Sequence, residues 1–316
     1  MSRKIVITGA SGFVGRALAG RLQCDGEQVL GICRGDRDLS FPVVTIPSLE
    51  DPWALRKTLN GAEIVVHCAA RAHVMQDTAE DPLSVFRKIN RDMTLAVARK
   101  SAESGVRRFV FLSSIKVNGE STSGRGPFRP DEQACPEDPY GFSKLEAEQG
   151  LIEIASETGM EVVIIRPPLV YGPGVKGNFA SMMRLVKKGL PLPLGAVHNK
   201  RSLVALDNLV DLIVTCIDHP DGANQVFLAG DGEDLSTTEL LRAVAVAMGK
   251  PSRLLPLPAG LLMAGAAILG RKAVAQRLLG SLQVDISKAQ SSLGWQPPLS
   301  VNDGLKRCFP ITEDKV

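Results

Sequence analysis

The chain has 316 residues with a formal net charge of +3 at pH 7, and 44% of them are hydrophobic and 22% charged. This composition indicates a globular protein and excludes the disordered, fibrous and disulfide-stapled classes. So small a positive surplus, without a block of like charges, gives no indication of nucleic-acid binding. The six cysteines are scattered without a metal-binding spacing, so we expect reduced thiols, no metal site and a cytoplasmic location.

The first half of the chain alternates strand and helix patterns. Continuous apolar strands separated by helices are typical of a parallel sheet that is covered on both faces. The sequence therefore predicts an α/β fold with a Rossmann-like, doubly wound parallel sheet. Strands are predicted at 4–10, 27–34, 62–70, 106–115 and 160–172, and helices at 12–23, 81–104 and 140–158.

The alternation loosens after about residue 170. A helix is predicted at 178–189, a strand leading into a helix at 200–217, and a short strand at 225–230. Another helix opens at Ser236, three residues before Glu239, which is the spacing of a capping box. We therefore expect a larger domain at 1–170 and a smaller mixed C-terminal lobe at 171–316, interleaved with the first.

One apolar stretch, residues 254–272, raises the question of a membrane contact. Its longest unbroken apolar run is shorter than the roughly 20 residues that a spanning helix needs, so we expect no membrane-spanning segment. A buried or partly buried helix is the favoured interpretation. The alternative is a membrane-surface contact, with Arg271 and Lys272 at the headgroups.

A glycine loop, VITGASGFVG, follows the first strand and opens the first helix. The chain turns tightly at Gly9, Gly12 lets the backbone approach a pyrophosphate, and Gly15 allows close packing of helix on strand. The free amides at the start of the helix then hold the anion. This context favours a dinucleotide site over a glycine-rich turn without a ligand, and it makes 1–170 an NAD(P)-binding domain.

The end of the second strand bears on which dinucleotide binds. An NAD site usually carries an acidic residue there, but this chain has Cys33 followed by Arg34. The forked guanidinium of an arginine suits a 2′-phosphate, so NADP is preferred over NAD. In the alternative, Arg34 is surface charge and Asp36 or Asp38 bonds the ribose.

A hydroxyl-bearing pair and a tyrosine–lysine pair follow the glycine loop along the chain. Ser113 and Ser114 end a predicted strand, where side chains face the ligand crevice of a parallel sheet. Tyr140 opens the next helix and Lys144 lies one turn later on the same face. We expect the lysine charge to lower the pKa of Tyr140, and we expect Ser114 to donate a hydrogen bond to the reacting oxygen.

At these residues the sequence resembles the extended short-chain dehydrogenases/reductases of the NAD-dependent epimerase/dehydratase family, which act on nucleotide sugars. The stretches TGASGFVG, HCAA, SSIKVNG, YGFSK and RPPLVYGPG carry the resemblance, which runs over nearly the whole chain. It implies that Ser114, Tyr140 and Lys144 are catalytic and that Asn90 supports them. It also implies a homodimer formed by the helices at 81–104 and 140–158.

The resemblance extends to ligand contacts. For two of the implied substrate contacts a simpler interpretation stays open: His73 can be a structural residue, and Lys116 can be a solvated surface lysine. Arg201 matches an arginine that contacts the diphosphate, with a surface arginine as the alternative. The implied contacts to a UDP-sugar substrate are His73, Lys116, Asn178 and Arg201. The implied cofactor contacts are Gly9, Ser11, Gly12, Phe13, Val14, Gly15, Arg34, Ala69, Ala70, Arg71, Tyr140, Lys144 and Pro167.

The same resemblance narrows the set of reactions that the chain could catalyse. Dehydratases of this kind carry an Asp-Glu pair after the catalytic hydroxyl residue, where this chain has Ile115 and Lys116. Leu169 replaces an asparagine that is common in epimerases and dehydratases. We therefore expect an NAD(P)H-dependent reductase for the C4 ketone of a UDP-2-acetamido-2,6-dideoxy-4-hexulose in surface-polysaccharide (O-antigen) biosynthesis. The alternative is a UDP-sugar 4-epimerase acting on UDP-glucose or UDP-N-acetylglucosamine, and a non-catalytic NAD(P)-binding protein is less favoured.

Overall fold

The computed structural model describes residues 2–72, 81–270 and 272–309. Within these ranges the strands are β1 (Lys4–Thr8), β2 (Gln28–Cys33), β3 (Val43–Thr45), β4 (Ile64–His67), β5 (Arg108–Leu112), β6 (Glu161–Arg166), β7 (Leu169–Tyr171), β8 (Arg201–Ala205), β9 (Gln225–Leu228) and β10 (Asp234–Leu235). The helices of the same ranges are α1 (Phe13–Cys24), α2 (Pro52–Leu59), α3 (Pro82–Phe86), α4 (Met93–Glu103), α5 (Pro139–Thr158), α6 (Gly177–Lys187), α7 (Leu206–Asp218), α8 (Thr237–Ala247), α9 (Ala259–Ile268), α10 (Lys272–Leu279), α11 (Ser287–Leu293) and α12 (Val301–Arg307). A π-helical segment, Arg87–Asp92, joins α3 to α4, and 3-10 turns cover Ile115–Val117 and Pro220–Gly222.

The main sheet contains seven parallel strands in the order β3-β2-β1-β4-β5-β6-β9. The chain runs outward from β1 in one direction through β2 and β3, and then in the other direction from β4. Ligands of such sheets bind where the order reverses, outside the carboxyl ends of the strands. The predicted doubly wound parallel sheet is confirmed.

Alternating side chains explain why both faces of this sheet are covered. Ile5 and Ile7 of β1 pack into the core beneath α1 and α7, while Val6 packs into the core beneath α2, α4 and α5. Successive side chains of a strand point to opposite faces, so an unbroken apolar strand must lie between two helical layers. The uninterrupted apolar runs of the sequence are the direct cause of this layering.

A smaller mixed sheet, β10-β8-β7, forms the base of the second lobe. In it β7 runs parallel to β8, and β10 runs antiparallel to β8. A third apolar core surrounds this sheet and includes Tyr171, Phe179 and Leu241. The predicted mixed lobe is therefore present, although the boundary between residues 170 and 171 stays a prediction. β9 returns from this half of the chain to the main sheet beside β6.

Several local expectations need correction. The strand predicted at 160–172 is divided into β6 and β7 by Pro167 and Pro168, because proline has no N–H to donate to a ladder. The short strand β3 and helix α2 were not predicted. The helix predicted at 81–104 contains a π-helical segment. The capping box is confirmed, since the Glu239 amide donates to Ser236 Oγ at 3.1 Å and Glu239 Oε2 accepts from the Ser236 amide at 2.7 Å.

The apolar stretch at 254–272 forms a helix that is only partly buried, within its favoured interpretation. It contains α9, and that helix has no buried side chain at all. Leu262 and Met263 are half-buried, whereas Leu261 and Ile268 are exposed. Among the residues that the structure describes, no helix is both long and apolar enough to cross a bilayer.

The two faces of α8 give a test of the lobe core. Leu241 is 1% exposed and Val246 is 77% exposed on the same helix. Leu241→Ala should lower the free energy of unfolding by about 3 kcal/mol, because it leaves a cavity in a packed core. The control Val246→Ala should change it by less than about 0.5 kcal/mol. Urea denaturation followed by circular dichroism measures both, and equal losses would contradict this orientation of α8.

Candidate active site

The glycine loop forms a cradle that side chains would fill. Gly9 has a φ of +66°, and a Cβ there would lie 2.7 Å from the amide nitrogen of Ala69. A Cβ at Gly15 would collide with the carbonyl oxygen of Gly9. Gly12 precedes α1 in an extended conformation and offers the helix no side-chain cap. The first-turn amides thus face an open site, which fits the pyrophosphate of a dinucleotide.

The other predicted cofactor residues lie at the carboxyl ends of neighbouring strands. Ser11 is exposed at the tip of the glycine loop, and Phe13 and Val14 begin α1 with half-buried side chains. The segment 69–71 follows β4. Pro167 follows β6 and is buried, and its carbonyl oxygen accepts from the Ile115 amide at 3.0 Å. These residues therefore lie along the carboxyl edge of the main sheet, on both sides of the point where the strand order reverses.

The end of β2 has an exposed cation and a buried thiol. Cys33 is 3% exposed, and Arg34 directly after it is exposed. The carboxylate of Asp36 accepts a hydrogen bond from Thr45 Oγ1 at 2.8 Å. The guanidinium of Arg34 is therefore available at this edge, whereas the carboxylate of Asp36 already has a partner.

Ser114, Tyr140 and Lys144 converge at the same edge, as the sequence predicted. Ser114 lies two residues beyond β5, and its hydroxyl is close enough to the phenol of Tyr140 to affect the pKa of that phenol. Tyr140 lies in the first turn of α5, whose N-terminus is capped by Asp138 accepting from the Gly141 amide at 2.7 Å. This cap fixes the turn that presents the phenol.

The predicted lowering of the Tyr140 pKa is wrong for this arrangement. Burial raises the pKa of Tyr140 to about 12, and the hydrogen bond with Ser114 opposes only part of that rise. The Lys144 ammonium lies elsewhere: it donates to the Leu112 carbonyl at 2.8 Å and sits 4.3 Å from the centre of the Phe111 ring. The lysine is thus held by the end of β5 rather than by the phenol.

Lys144 itself is perturbed by its surroundings. The residue is 1% exposed, and burial lowers the pKa of its ammonium to about 7. The Glu148 carboxylate, one turn later on α5, opposes part of this lowering. A buried lysine with a pKa near neutrality and a phenol with a raised pKa are typical of functional sites.

Asn90 occupies the π-helical segment and holds the backbone after β4. Its Oδ1 accepts from the Arg71 amide at 2.8 Å, and its Nδ2 donates to the Arg71 carbonyl at 3.1 Å. The same Nδ2 donates to Ser143 Oγ at 3.0 Å, next to Lys144 on α5. π-Helical segments of this kind are frequent at functional sites. Asn90 therefore joins the predicted cofactor loop to the predicted catalytic helix.

His67 is a fully partnered core residue. Its Nδ1 lies 2.9 Å from Thr8 Oγ1, and its Nε2 lies 3.0 Å from Thr94 Oγ1. The Thr94 hydroxyl donates to the Asn90 carbonyl at 2.8 Å, so its proton is already directed elsewhere. The ring proton of His67 must then reside on Nε2, with Nδ1 accepting from Thr8.

A buried ion pair beneath the site was not predicted. Arg166, the last residue of β6, donates through Nε to Glu148 Oε1 at 3.0 Å, and both side chains are buried. Ser113 Oγ also donates to Glu148, so it does not face the crevice as expected. The spacing of Glu148 four residues after Lys144 indicates a charge pair within α5, but it does not indicate Arg166 as the partner.

The predicted substrate residues are less tightly grouped. Lys116 Nζ contacts Glu120 Oε1 at 2.7 Å and also pairs with Asp138. Arg201 begins β8, and its guanidinium donates to the carbonyl of Arg277 at 2.7 Å. Asn178 lies in the first turn of α6. His73 lies outside the described residues.

The comparisons with known proteins agree with this geometry. The profile of the NAD dependent epimerase/dehydratase family matches residues 5–230, well over half of the chain. The chain belongs to this family. The predicted extended short-chain dehydrogenase/reductase resemblance is thus confirmed at the level of the family.

Three relatives of the family illustrate the match. A Vibrio cholerae protein named UDP-glucose 4-epimerase is 48% identical over 313 residues, covering 97% of this chain and 94% of its own. An Escherichia coli O157:H7 protein named N-acetyl-alpha-D-glucosaminyl-diphospho-ditrans,octacis-undecaprenol 4-epimerase is 30% identical, covering 97% and 94%. The crystal structure of Thermotoga maritima UDP-glucose 4-epimerase with UDP-glucose superposes with a TM-score of 0.78 at 25% identity, covering 96% and 97%.

The buried histidine predicts a pH dependence of stability. Burial lowers the pKa of His67 from 6.5 to about 3, so below pH 6.5 the unfolded chain binds a proton that the folded chain does not. Stability is then full above pH 6.5 and falls as the pH decreases, by at most about 1.4 kcal/mol per pH unit. Urea denaturation at about pH 7 and about pH 5 should show this loss.

Substitution of single histidines isolates the contribution of His67 to the pH dependence of stability. In His67→Asn the difference in unfolding free energy between the two pH values should be smaller by about 2 kcal/mol, whatever its overall stability. His198, which is exposed, supplies the control His198→Gln, which should keep the wild-type dependence. An unchanged pH dependence in His67→Asn would show that the imidazole is not a neutral buried base.

Proposed function

We propose that the chain is a UDP-sugar 4-epimerase, which inverts the configuration at C4 of a UDP-linked hexose. The observation that carries this proposal is the group of Ser114, Tyr140 and Lys144 at the edge of the glycine cradle. The 48% identity with the Vibrio cholerae relative, over nearly the full length of both chains, supports 4-epimerisation among the reactions of the family. Ile115 and Lys116, in place of an acidic pair, argue against dehydration.

The chain's residues supply the proton chemistry and the positioning. When bound, the nicotinamide ring of NAD(P) accepts and returns a hydride at C4. Tyr140 takes the proton of the C4 hydroxyl and later gives it back, while Ser114 hydrogen-bonds the same oxygen. Lys144 is buried, and its ammonium donates to the Leu112 carbonyl, so it holds the end of β5 that leads to Ser114.

The glycine cradle and the polar residues around it are assigned to the cofactor. Gly9, Gly12 and Gly15 would hold the pyrophosphate, and Asn90 would keep the Arg71 backbone in place along the dinucleotide. Arg34 supports NADP over NAD, because an exposed guanidinium at the end of β2 suits a 2′-phosphate. The homodimer and the cytoplasmic location expected from the sequence stay predictions, and so does the division at residue 170.

Reduction of a UDP-4-keto-6-deoxy-N-acetylhexosamine is the second candidate. A specific feature favours it: Arg34 follows Cys33 where an NAD-retaining enzyme usually carries an acid. A reductase must exchange its oxidised cofactor for NADPH in every turnover, whereas an epimerase regenerates its cofactor in place. Leu169, half-buried in β7 where epimerases commonly carry an asparagine, is consistent with the same candidate.

Removal of the phenol tests the role of Tyr140. Tyr140→Phe should lower turnover by about 10²–10⁴-fold, because it deletes the proton-transfer group. Binding of the cofactor, followed by fluorescence titration, should change little. The other tyrosine supplies the control: Tyr171→Phe removes a hydroxyl that hydrogen-bonds with Asp231 and the Val301 carbonyl rather than with the candidate catalytic residues, and should keep turnover. Full turnover of Tyr140→Phe would refute the assignment.

Two parallel assays separate the candidate reactions. One contains UDP-N-acetylglucosamine or UDP-glucose without added cofactor, and chromatography of the sugar nucleotide reports the 4-epimer. The other contains NADPH and UDP-4-keto-6-deoxy-N-acetylglucosamine, and the loss of NADPH absorbance reports reduction. Epimer in the first assay, with no oxidation in the second, is the expected result. Oxidation in the second assay alone would overturn 4-epimerisation in favour of the reductase.

A further inference from the structure

An exposed apolar helical hairpin stands on the second lobe. We define the apolar hairpin as residues 254–270 and 272–279, which contain α9 and α10. Leu261, Ile268 and Leu269 are 63%, 86% and 75% exposed. Contiguous apolar surface of this kind is uncommon on globular proteins and marks a site of interaction. Nothing in the proposed reaction uses these side chains.

The start of the apolar hairpin is fixed to the lobe by backbone hydrogen bonds. The Leu192 amide donates to the Arg253 carbonyl at 2.9 Å, and the Leu255 amide donates to the Leu192 carbonyl at 2.8 Å. The Gly195 amide donates to the Leu255 carbonyl at 2.9 Å. These bonds hold the segment before α9 against the loop after α6.

The end of the apolar hairpin is fixed as well. Arg201 donates to the Arg277 carbonyl at 2.7 Å, and Asn199 Nδ2 donates to the Gly280 carbonyl at 2.7 Å. With both ends anchored, the outward orientation of α9 is a built feature of the lobe. The second anchor also places the apolar hairpin beside β8 of the substrate lobe rather than beside the glycine loop.

The charge distribution around the apolar hairpin is one-sided. Residues 162–206 and 240–284 contain no Asp or Glu, although the whole chain has 34 of them. The two segments meet in the structure, where Lys250 Nζ donates to the Lys187 carbonyl at 2.9 Å and Arg253 donates to the Gly189 carbonyl at 3.3 Å. Among the described residues of these segments, the exposed cations are Lys176, Arg184, Lys187, Lys188, Lys200, Arg242, Lys250, Arg253, Lys272 and Arg277.

We propose that this face binds the surface of a bilayer that contains anionic phospholipid. The exposed leucines and isoleucine of α9 would enter the boundary between headgroups and acyl chains, and the surrounding cations would contact the phosphates. An apolar helix with flanking Lys and Arg and no acidic residue has the composition of an interfacial anchor. A surface contact does not require a helix long enough to span the bilayer.

Charge argues against a second copy as the occupant. In a two-fold symmetric dimer the same patch faces itself, so this face would place one set of cations opposite another. Like charges across an interface oppose association, whereas a negative surface attracts every one of them. The lipid surface is therefore the occupant that the charges select.

Vesicle flotation of the full-length protein tests the proposal. The two probes are vesicles of phosphatidylcholine alone and vesicles of phosphatidylcholine mixed with phosphatidylglycerol. The protein should float with the mixed vesicles and remain largely below the pure ones. High salt should weaken the binding, because it shortens the screening length of exposed charges. Failure to float with the mixed vesicles, or equal flotation with both, would overturn the proposal.

Two variants separate the apolar and ionic contributions. Leu261→Ser/Ile268→Ser/Leu269→Ser should weaken binding to mixed vesicles by more than about tenfold. Lys188→Gln/Lys272→Gln should weaken it by about 25-fold, since each cation near an anionic surface contributes about fivefold. Wild-type binding by the triple variant would overturn the role of α9.

Matched controls come from α2, a helix that packs against the main sheet rather than against the second lobe. Trp53→Ser alters an apolar side chain that is 76% exposed, and Lys57→Gln removes an exposed cation. Both should keep wild-type flotation.

Thermal unfolding and light scattering of every variant report folding and oligomeric state. Loss of self-association in the triple variant, with no vesicle binding by the wild type, would assign the face to a second copy and overturn the lipid proposal.

Discussion

The backbone contact between the glycine loop and the segment after β4 is the constraint on which the site depends. A Cβ at Gly9 would lie 2.7 Å from the amide nitrogen of Ala69, so the two loops meet without room for any side chain between them. The left-handed φ of +66° at Gly9 makes the same demand on the backbone. This contact holds the two loops together at the point where the strand order reverses.

A continuous chain of polar side chains extends from that contact to the helix of the candidate catalytic residues. Thr8 on β1 bonds His67 on β4, His67 bonds Thr94 on α4, and Thr94 bonds the carbonyl of Asn90 in the π-helical segment. Asn90 in turn bonds Ser143 on α5. Each bond joins two different elements, and each buried group has its partner, so the network makes their relative positions specific. A neutral His67 can serve both threonines only because its two nitrogens have opposite roles.

The sequence predicted those parts of the molecule that depend on neighbouring residues. The glycine spacing, the apolar strands and the Ser236–Glu239 capping box are local patterns, and each was found in its predicted place. The π-helical segment at Asn90 was not predictable, because it arises from contacts with residues distant in the chain. The same holds for the pKa of Tyr140: helical spacing places Lys144 on its face, but burial and the Leu112 carbonyl decide where the ammonium points.

The proline pair after β6 shows how one local constraint serves both lobes. Pro167 has no N–H to donate, so the main-sheet ladder of β6 ends at Arg166, and the chain leaves to form β7 beside β8. Pro167 still offers its carbonyl, which accepts from the Ile115 amide at 3.0 Å directly after Ser114. The residue that sends the chain into the second lobe therefore also fixes the turn that presents the Ser114 hydroxyl. A shift of one lobe against the other at this point would therefore move the Ser114 hydroxyl.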